Sequence, residues 1–180
     1  MRESGVTAKV LHAITIALAL LAAGCMPPPQ YDDQTDKLIS QIQTDVDTQF
    51  VSLITLDHKI SRLSGKPDPA SVKALADAKT KAGFNANSGF YDKVDVDLSS
   101  LQTRVDAAPN LATPFLDKAL KNLRDNLLDV DGSVEVTHQK VEILSEAYLR
   151  TAQQLVDAQI GALLTRELGL KSGSSTTSSK

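Results

Sequence analysis

From Thr35 onward the apolar residues recur every three or four positions. Ile39, Ile42, Val46, Phe50, Leu53, Leu56, Ile60 and Leu63 therefore fall on one stripe of a helix spanning Thr35 to Ser64. Strict alternation, the signature of a half-buried strand, is absent. Ser64-Gly65-Lys66-Pro67-Asp68-Pro69 stops this helix with a glycine and two prolines. Ala70 to Ala82 is rich in Ala and Lys, with Val72 and Leu75 as its large apolar residues, and predicts a short, mostly exposed helix. Gly83 and the stretch Asn85 to Gly89 predict a break.

A strong helical pattern resumes over Ser88 to Ala107 with Phe90, Val94, Leu98, Leu101 and Val105, and Pro109 ends it. Thr113-Pro114 reads as a new start, a capping hydroxyl followed by proline at the first helical position. Leu116, Leu120, Leu123, Leu127, Val130 and Val134 then keep the three-four spacing through Asp131-Gly132. The next turn is accordingly expected near Lys140 to Leu144, with Asp131-Gly132 as the alternative boundary. Ser145 can cap the last helix, which runs to Leu170, with Leu144 and Leu149 as a hydrophobic staple and Ala152, Val156, Ile160 and Leu163 facing inward. The predicted class is all-α, an antiparallel bundle of about four main helices over residues 35–170, connected up-down-up-down.

The pattern changes before and after this domain. Val10 to Ala23 is an apolar stretch of about 14 residues behind Arg2 and Lys9, with His12 inside it. Spanning a bilayer takes ~20 residues, so the run has the dimensions of a secretory leader. It closes on Leu21-Ala22-Ala23-Gly24-Cys25. These residues resemble a lipobox, the recognition site of the bacterial lipoprotein pathway. The resemblance covers the leader and Cys25 alone. It implies a signal peptide over 1–24, peptidase recognition of Leu21, Ala22, Ala23 and Gly24, and a Cys25 that carries palmitate-type acyl chains as the first mature residue. One departure is that Leu21 stands four before the cysteine, with Ala22 in the slot where Leu is commonest. Met26 in place of Asp implies, by the same resemblance, an outer-membrane location facing the periplasm in a Gram-negative envelope.

Residues 25–34, with Pro27-Pro28-Pro29, predict a lipidated tether whose nine residues from Met26 reach roughly 28 Å in extended form. Residues 171–180, almost entirely Ser, Thr, Gly and Lys, predict a disordered tail.

Composition narrows the function classes. Aromatic residues are 4% and Trp is absent, so Leu, Ile, Val and Ala must fill the core, which favours helices over a sandwich. Of 19 basic and 22 acidic residues, the leader takes Arg2, Lys9 and Glu3, leaving 17 against 21. That balance argues against nucleic acid and against electrostatic docking to acidic head groups.

The chemical constellations are sparse. After the leader only His58 and His138 remain, without HxxxH or HExxH spacing, and they read as surface or edge residues with no metal site. Placing Gly132 at the sixth position of a calcium loop puts Leu127 at the first and His138 at the twelfth, where carboxylates are required. Asp45-Val46-Asp47 and Asp95-Val96-Asp97 read as solvated faces whose central valine leans inward. No GxSxG, GxGxxG or GxxxxGK[ST] motif occurs, so no catalytic residue and no cofactor is assigned. Phe84, Phe90 and Tyr91 form the densest aromatic patch, with Phe90 expected in the core and Phe84 pinning the loop.

The expected function is a non-enzymatic, membrane-anchored envelope module that binds a protein partner or serves a structural role. The alternative is a carrier of a small apolar ligand at the Phe84, Phe90 and Tyr91 patch, with an enzyme third.

Overall fold

The computed structural model describes residues 31–107 and 113–176, the last five as backbone only. The described residues are all helical and contain no strand. Six helices follow one another: α1 Asp33–Leu63, α2 Pro69–Ala82, α3 Phe84–Ala107, α4 Pro114–Leu127, α5 Val134–Val141 and α6 Glu146–Thr176.

Helix α1 begins two residues before the expected Thr35 because Asp32 is the better cap. Its carboxylate accepts from the Thr35 N–H at 3.1 Å and from the Thr35 hydroxyl at 2.6 Å. The end of the predicted tether is thus the cap and first turn of a helix. The stop comes at Gly65, whose φ of 82° is left-handed. Ile39, Ile42, Val46, Phe50 and Leu53 are fully buried along the stripe.

Polar contacts fix the direction of each neighbour. Asp57 and Asp47 of α1 meet Glu146 and Gln153 of α6, so the numbers fall on one helix as they rise on the other. Asp45 and Asp32 meet Lys93 and Arg104 of α3 in the same descending order. Asp95 and Gln102 of α3 meet Arg124 and Asp117 of α4. Helix α4 also packs on α6. One core fills the space between these four helices, with Tyr91, Leu98, Leu101, Leu116, Leu123, Leu149, Val156 and Ile160 among its buried side chains. Burial of each large aliphatic contributes ~1.5–3 kcal/mol. The exposed ion pairs between helices contribute ~0–1 kcal/mol each and serve mainly as register marks. Helix α2 folds back along the end of α1, with Ala78 and Ala82 against Ile60.

Three expectations are corrected. The Asn85 to Gly89 stretch is helical from Phe84, because the Asn87 amide donates to the carbonyls of Lys81 (2.9 Å) and Gly83 (2.8 Å). It thereby satisfies the open end of α2 from inside the first turn of α3. The chain does break at Asp131-Gly132. Helix α4 ends at Leu127, Leu128 is also fully buried, and Val130, expected on the inward stripe, is 40% exposed. Leu128 itself takes an extended conformation (φ -131°, ψ 168°), which ends the helix while its side chain stays in the core. Gly132 (φ 89°) completes the turn, and Ser133 caps α5 through Val136 N–H. A second break follows at the expected Lys140 to Leu144, where Glu142 takes φ 63°. Finally, α6 continues past Leu170 to Thr176, into the segment expected to be a disordered tail.

Candidate functional site

The aromatic patch and one histidine converge where α2, α3 and α5 meet. Tyr91 and His138 are both fully buried. The Tyr91 hydroxyl lies 2.8 Å from His138 Nδ1, and His138 Nε2 lies 2.8 Å from the carbonyl oxygen of Ala82. A carbonyl can only accept, so Nε2 carries the proton. Nδ1 is then the acceptor, and Tyr91 donates to it. This assignment gives a neutral imidazole with both nitrogens used.

Electrostatics agree. Burial pushes His138 below the usual histidine range, against the opposing effect of its backbone hydrogen bonds and of Glu142. Burial likewise raises Tyr91, helped by the charges of Glu135 and Tyr148. Phe84 stacks on Tyr91 with centroids 5.8 Å apart and meets the His138 ring edge-on. Phe90 packs edge-on against Tyr91 at 5.1 Å.

Two sequence expectations change here. His138 is a core residue and not a surface one, because it follows Val134 by one helical turn on the inward face of α5. Tyr91 takes the core position expected of Phe90, which is half-buried, as is Phe84. His58 is exposed and lies 2.6 Å from Glu146. The hydrogen bonds from His58 and Arg150 hold Glu146 below the usual carboxylate range. Among the described residues no group of three His, Cys, Asp or Glu is placed to hold a metal ion.

The acidic pairs divide. Val46 is buried between Asp45 and Asp47, but Val96 is 62% exposed. The stripe of α3 runs through Val94 and Leu98 and leaves Val96 on the opposite side. Asp95 and Asp97 reach sideways to Arg124 and Lys93.

A second polar cluster closes the other end of the molecule, beside Tyr31. Asp32 accepts from Thr35 and from Arg104 (2.7 Å). Burial works against its charge, and these hydrogen bonds outweigh it, holding the carboxyl below the usual range. Glu167 of α6 is fully buried and paired with Arg166, and its Oε2 has no hydrogen-bond partner among the described residues. Burial raises its carboxyl despite the Arg166 charge and the Asp32 N–H. Neither Glu167 nor His138 was singled out as a core polar residue from the sequence. The signal was there for both, since Glu167 continues the Ile160, Leu163 line by one turn.

Elsewhere a groove of about 360 Å³ opens on α1 at Thr55, His58, Ser61 and Arg62, and two others lie between helices. One, of about 430 Å³, runs between α3 and α4 over Leu98 and Leu120, edged by Ser99, Gln102, Lys121 and Arg124. Its arginine is already engaged by Asp95 and Ser99. The other, of about 190 Å³, lies between Val134, Tyr148, Ala152, Leu155 and Val156. Among the described residues no helix is long and apolar enough to cross a membrane. Cys25 and Leu21 to Gly24 lie outside the described residues, as does Pro109. The chain matches no family model, no curated protein and no solved structure.

Proposed function

We propose that the protein is a lipid-anchored envelope module, an up-down-up-down four-helix bundle of α1, α3, α4 and α6 whose work is interaction with a protein partner. The observation that carries the reading is the sequence Leu21-Ala22-Ala23-Gly24-Cys25 behind an apolar run too short to span a bilayer. Acyl chains on Cys25 contribute ~0.8 kcal/mol per buried methylene, enough for stable attachment when several are present. The interior supports a non-catalytic role, because Tyr91 and His138 spend their polar atoms on one another and on Ala82.

Metabolic labelling with a palmitate analogue is expected to mark the wild-type protein and not Cys25→Ser. Equal labelling of both ends the lipoprotein reading. Pulldown from detergent-solubilised envelopes is expected to recover one reproducible protein, and recovering none removes the partner. The carrier reading places a ligand at Phe84, Phe90 and Tyr91, where the rings pack on one another and on His138; a separate small groove lies at Tyr148 and Leu155, the latter 48% exposed. Its volume is under the ~300 Å³ at which ligand pockets usually begin.

A further inference from the structure

The charge of the chain reverses along α1. Residues 31–58 hold six aspartates and one lysine. Residues 59–81, the last turn of α1, its link and nearly all of α2, hold Lys59, Arg62, Lys66, Lys73, Lys79 and Lys81 against Asp68 and Asp77. All six basic side chains are exposed. Among the described residues none of them is in an ion pair. In the body of the protein most of the described cations are paired, Lys118 of α4 being an exception. There Lys37, Lys93, Lys121, Arg124, Lys140 and Arg150 each have a carboxylate partner. Asp68 is meanwhile occupied as the α2 cap, accepting from Ser71 N–H. Lys79 and Lys81 complement the C-terminal dipole of α2, but Lys59, Lys66 and Lys73 have no such explanation. The near balance of the whole chain conceals this cap, which stands at the end of α1 opposite Tyr31.

We propose that this basic end docks on an anionic lipid surface. Protein interfaces are depleted in lysine and enriched in aromatics and arginine, and here five of six cations are lysine with no aromatic among residues 59–81. Lysine presents a compact point charge on a flexible stem and lacks the fork that reads a single carboxylate or phosphate. Such a set suits many mobile head groups better than one oriented ligand. Val72, 53% exposed in the middle of the lysines, adds a shallow apolar contact. Neither the cap nor its test depends on whether Cys25 is acylated.

The test is co-sedimentation of the full chain carrying Cys25→Ser with vesicles of phosphatidylglycerol and phosphatidylcholine, against pure phosphatidylcholine. Binding is expected to the anionic vesicles above the neutral background and to vanish at ~1 M salt, where the screening length falls to ~3 Å. The triple variant Lys73→Gln/Lys79→Gln/Lys81→Gln is expected to bind on the order of 100-fold more weakly, at roughly fivefold per lysine. Lys59→Gln/Lys66→Gln, outside α2, repeats the loss on a smaller scale, so an unfolded α2 is not needed to explain it. Lys37→Gln/Lys121→Gln/Lys140→Gln, which removes paired lysines, is expected to stay within a fewfold of the parent. Equal binding to both vesicles, an unaffected cap variant, or an equal loss in the body variant overturns the proposal. So does retention on polyglutamate without vesicle binding, which assigns the cap to an acidic protein.

Discussion

The Tyr91–His138–Ala82 chain makes stability depend on pH with a sign that one substitution isolates. His138→Gln keeps a donor for the Ala82 carbonyl and an acceptor for Tyr91, but cannot titrate. In the wild type, burial holds the folded His138 below its ordinary value near 6.5. Between the folded and unfolded values the unfolded chain binds a proton that the folded chain does not, so stability rises with pH. The contribution is complete above the unfolded value and is lost as pH falls through the folded one. One proton changes stability by at most ~1.4 kcal/mol per pH unit. Lowering the pH from ~7.5 to ~5.5 therefore removes up to ~1.4 kcal/mol from the wild type through this residue, since the unfolded histidine is neutral over the upper half of that interval.

Glu167, Glu135 and Asp157 titrate with the opposite sign, because burial raises each of them. All three are common to both proteins and cancel in the comparison. Urea unfolding at the two pH values should show His138→Gln gaining on the wild type by up to ~1.4 kcal/mol as the pH falls. That corresponds to a midpoint shift of roughly 3–6 °C by thermal unfolding. A difference that stays constant, or that moves in favour of the wild type at low pH, refutes a neutral His138.

Two further substitutions test the polar ends of the fold. Tyr91→Phe leaves His138 Nδ1 buried without its donor and should cost ~1–3 kcal/mol in urea unfolding, with α-helical circular dichroism unchanged; a cost near zero means that the hydroxyl is not the partner. Asp32→Ala removes the cap of α1 and should destabilise by ~0.5–2 kcal/mol. The lowered carboxyl also means that this contribution is present above pH ~4 and fades as the pH falls through the folded value, so wild type and variant should converge in acid.

Regular spacing was the most legible part of the fold. Ile39 to Leu53, Val94 to Val105 and Leu116 to Leu127 lie on their stripes because a long helix against one core offers few other solutions. What the spacing missed was decided by partners remote in sequence. Asn87 looks like a helix breaker until its amide finds the carbonyls that end α2, and Gln49 of α1 donates to it at 2.6 Å. The three-four rhythm from Leu116 to Val134 is real in the letters, yet Leu128 outside that rhythm is buried and Val130 within it is not. His138 and Glu167 sit on inward lines where only apolar residues were sought. The aromatic patch was visible as composition, but its histidine comes from a helix 47 residues away in the chain.

The antiparallel alignment of α1 with both α3 and α6 has a mechanical meaning. Helix α1 is about 46 Å long for its 31 residues, a length that α6 matches. A pull between Tyr31 and the basic cap runs along the axis of α1 and is carried by the backbone hydrogen bonds of α1 itself, with the side-chain contacts to α3 and α6 left unloaded while the helix holds. A pull between Tyr31 and the end of α6 instead opens the Asp32–Glu167 end first and unzips the helices one contact after another. The protein is thus built as a strut in one direction and a clasp in the other, and the orientation in which it is held decides which of the two it becomes.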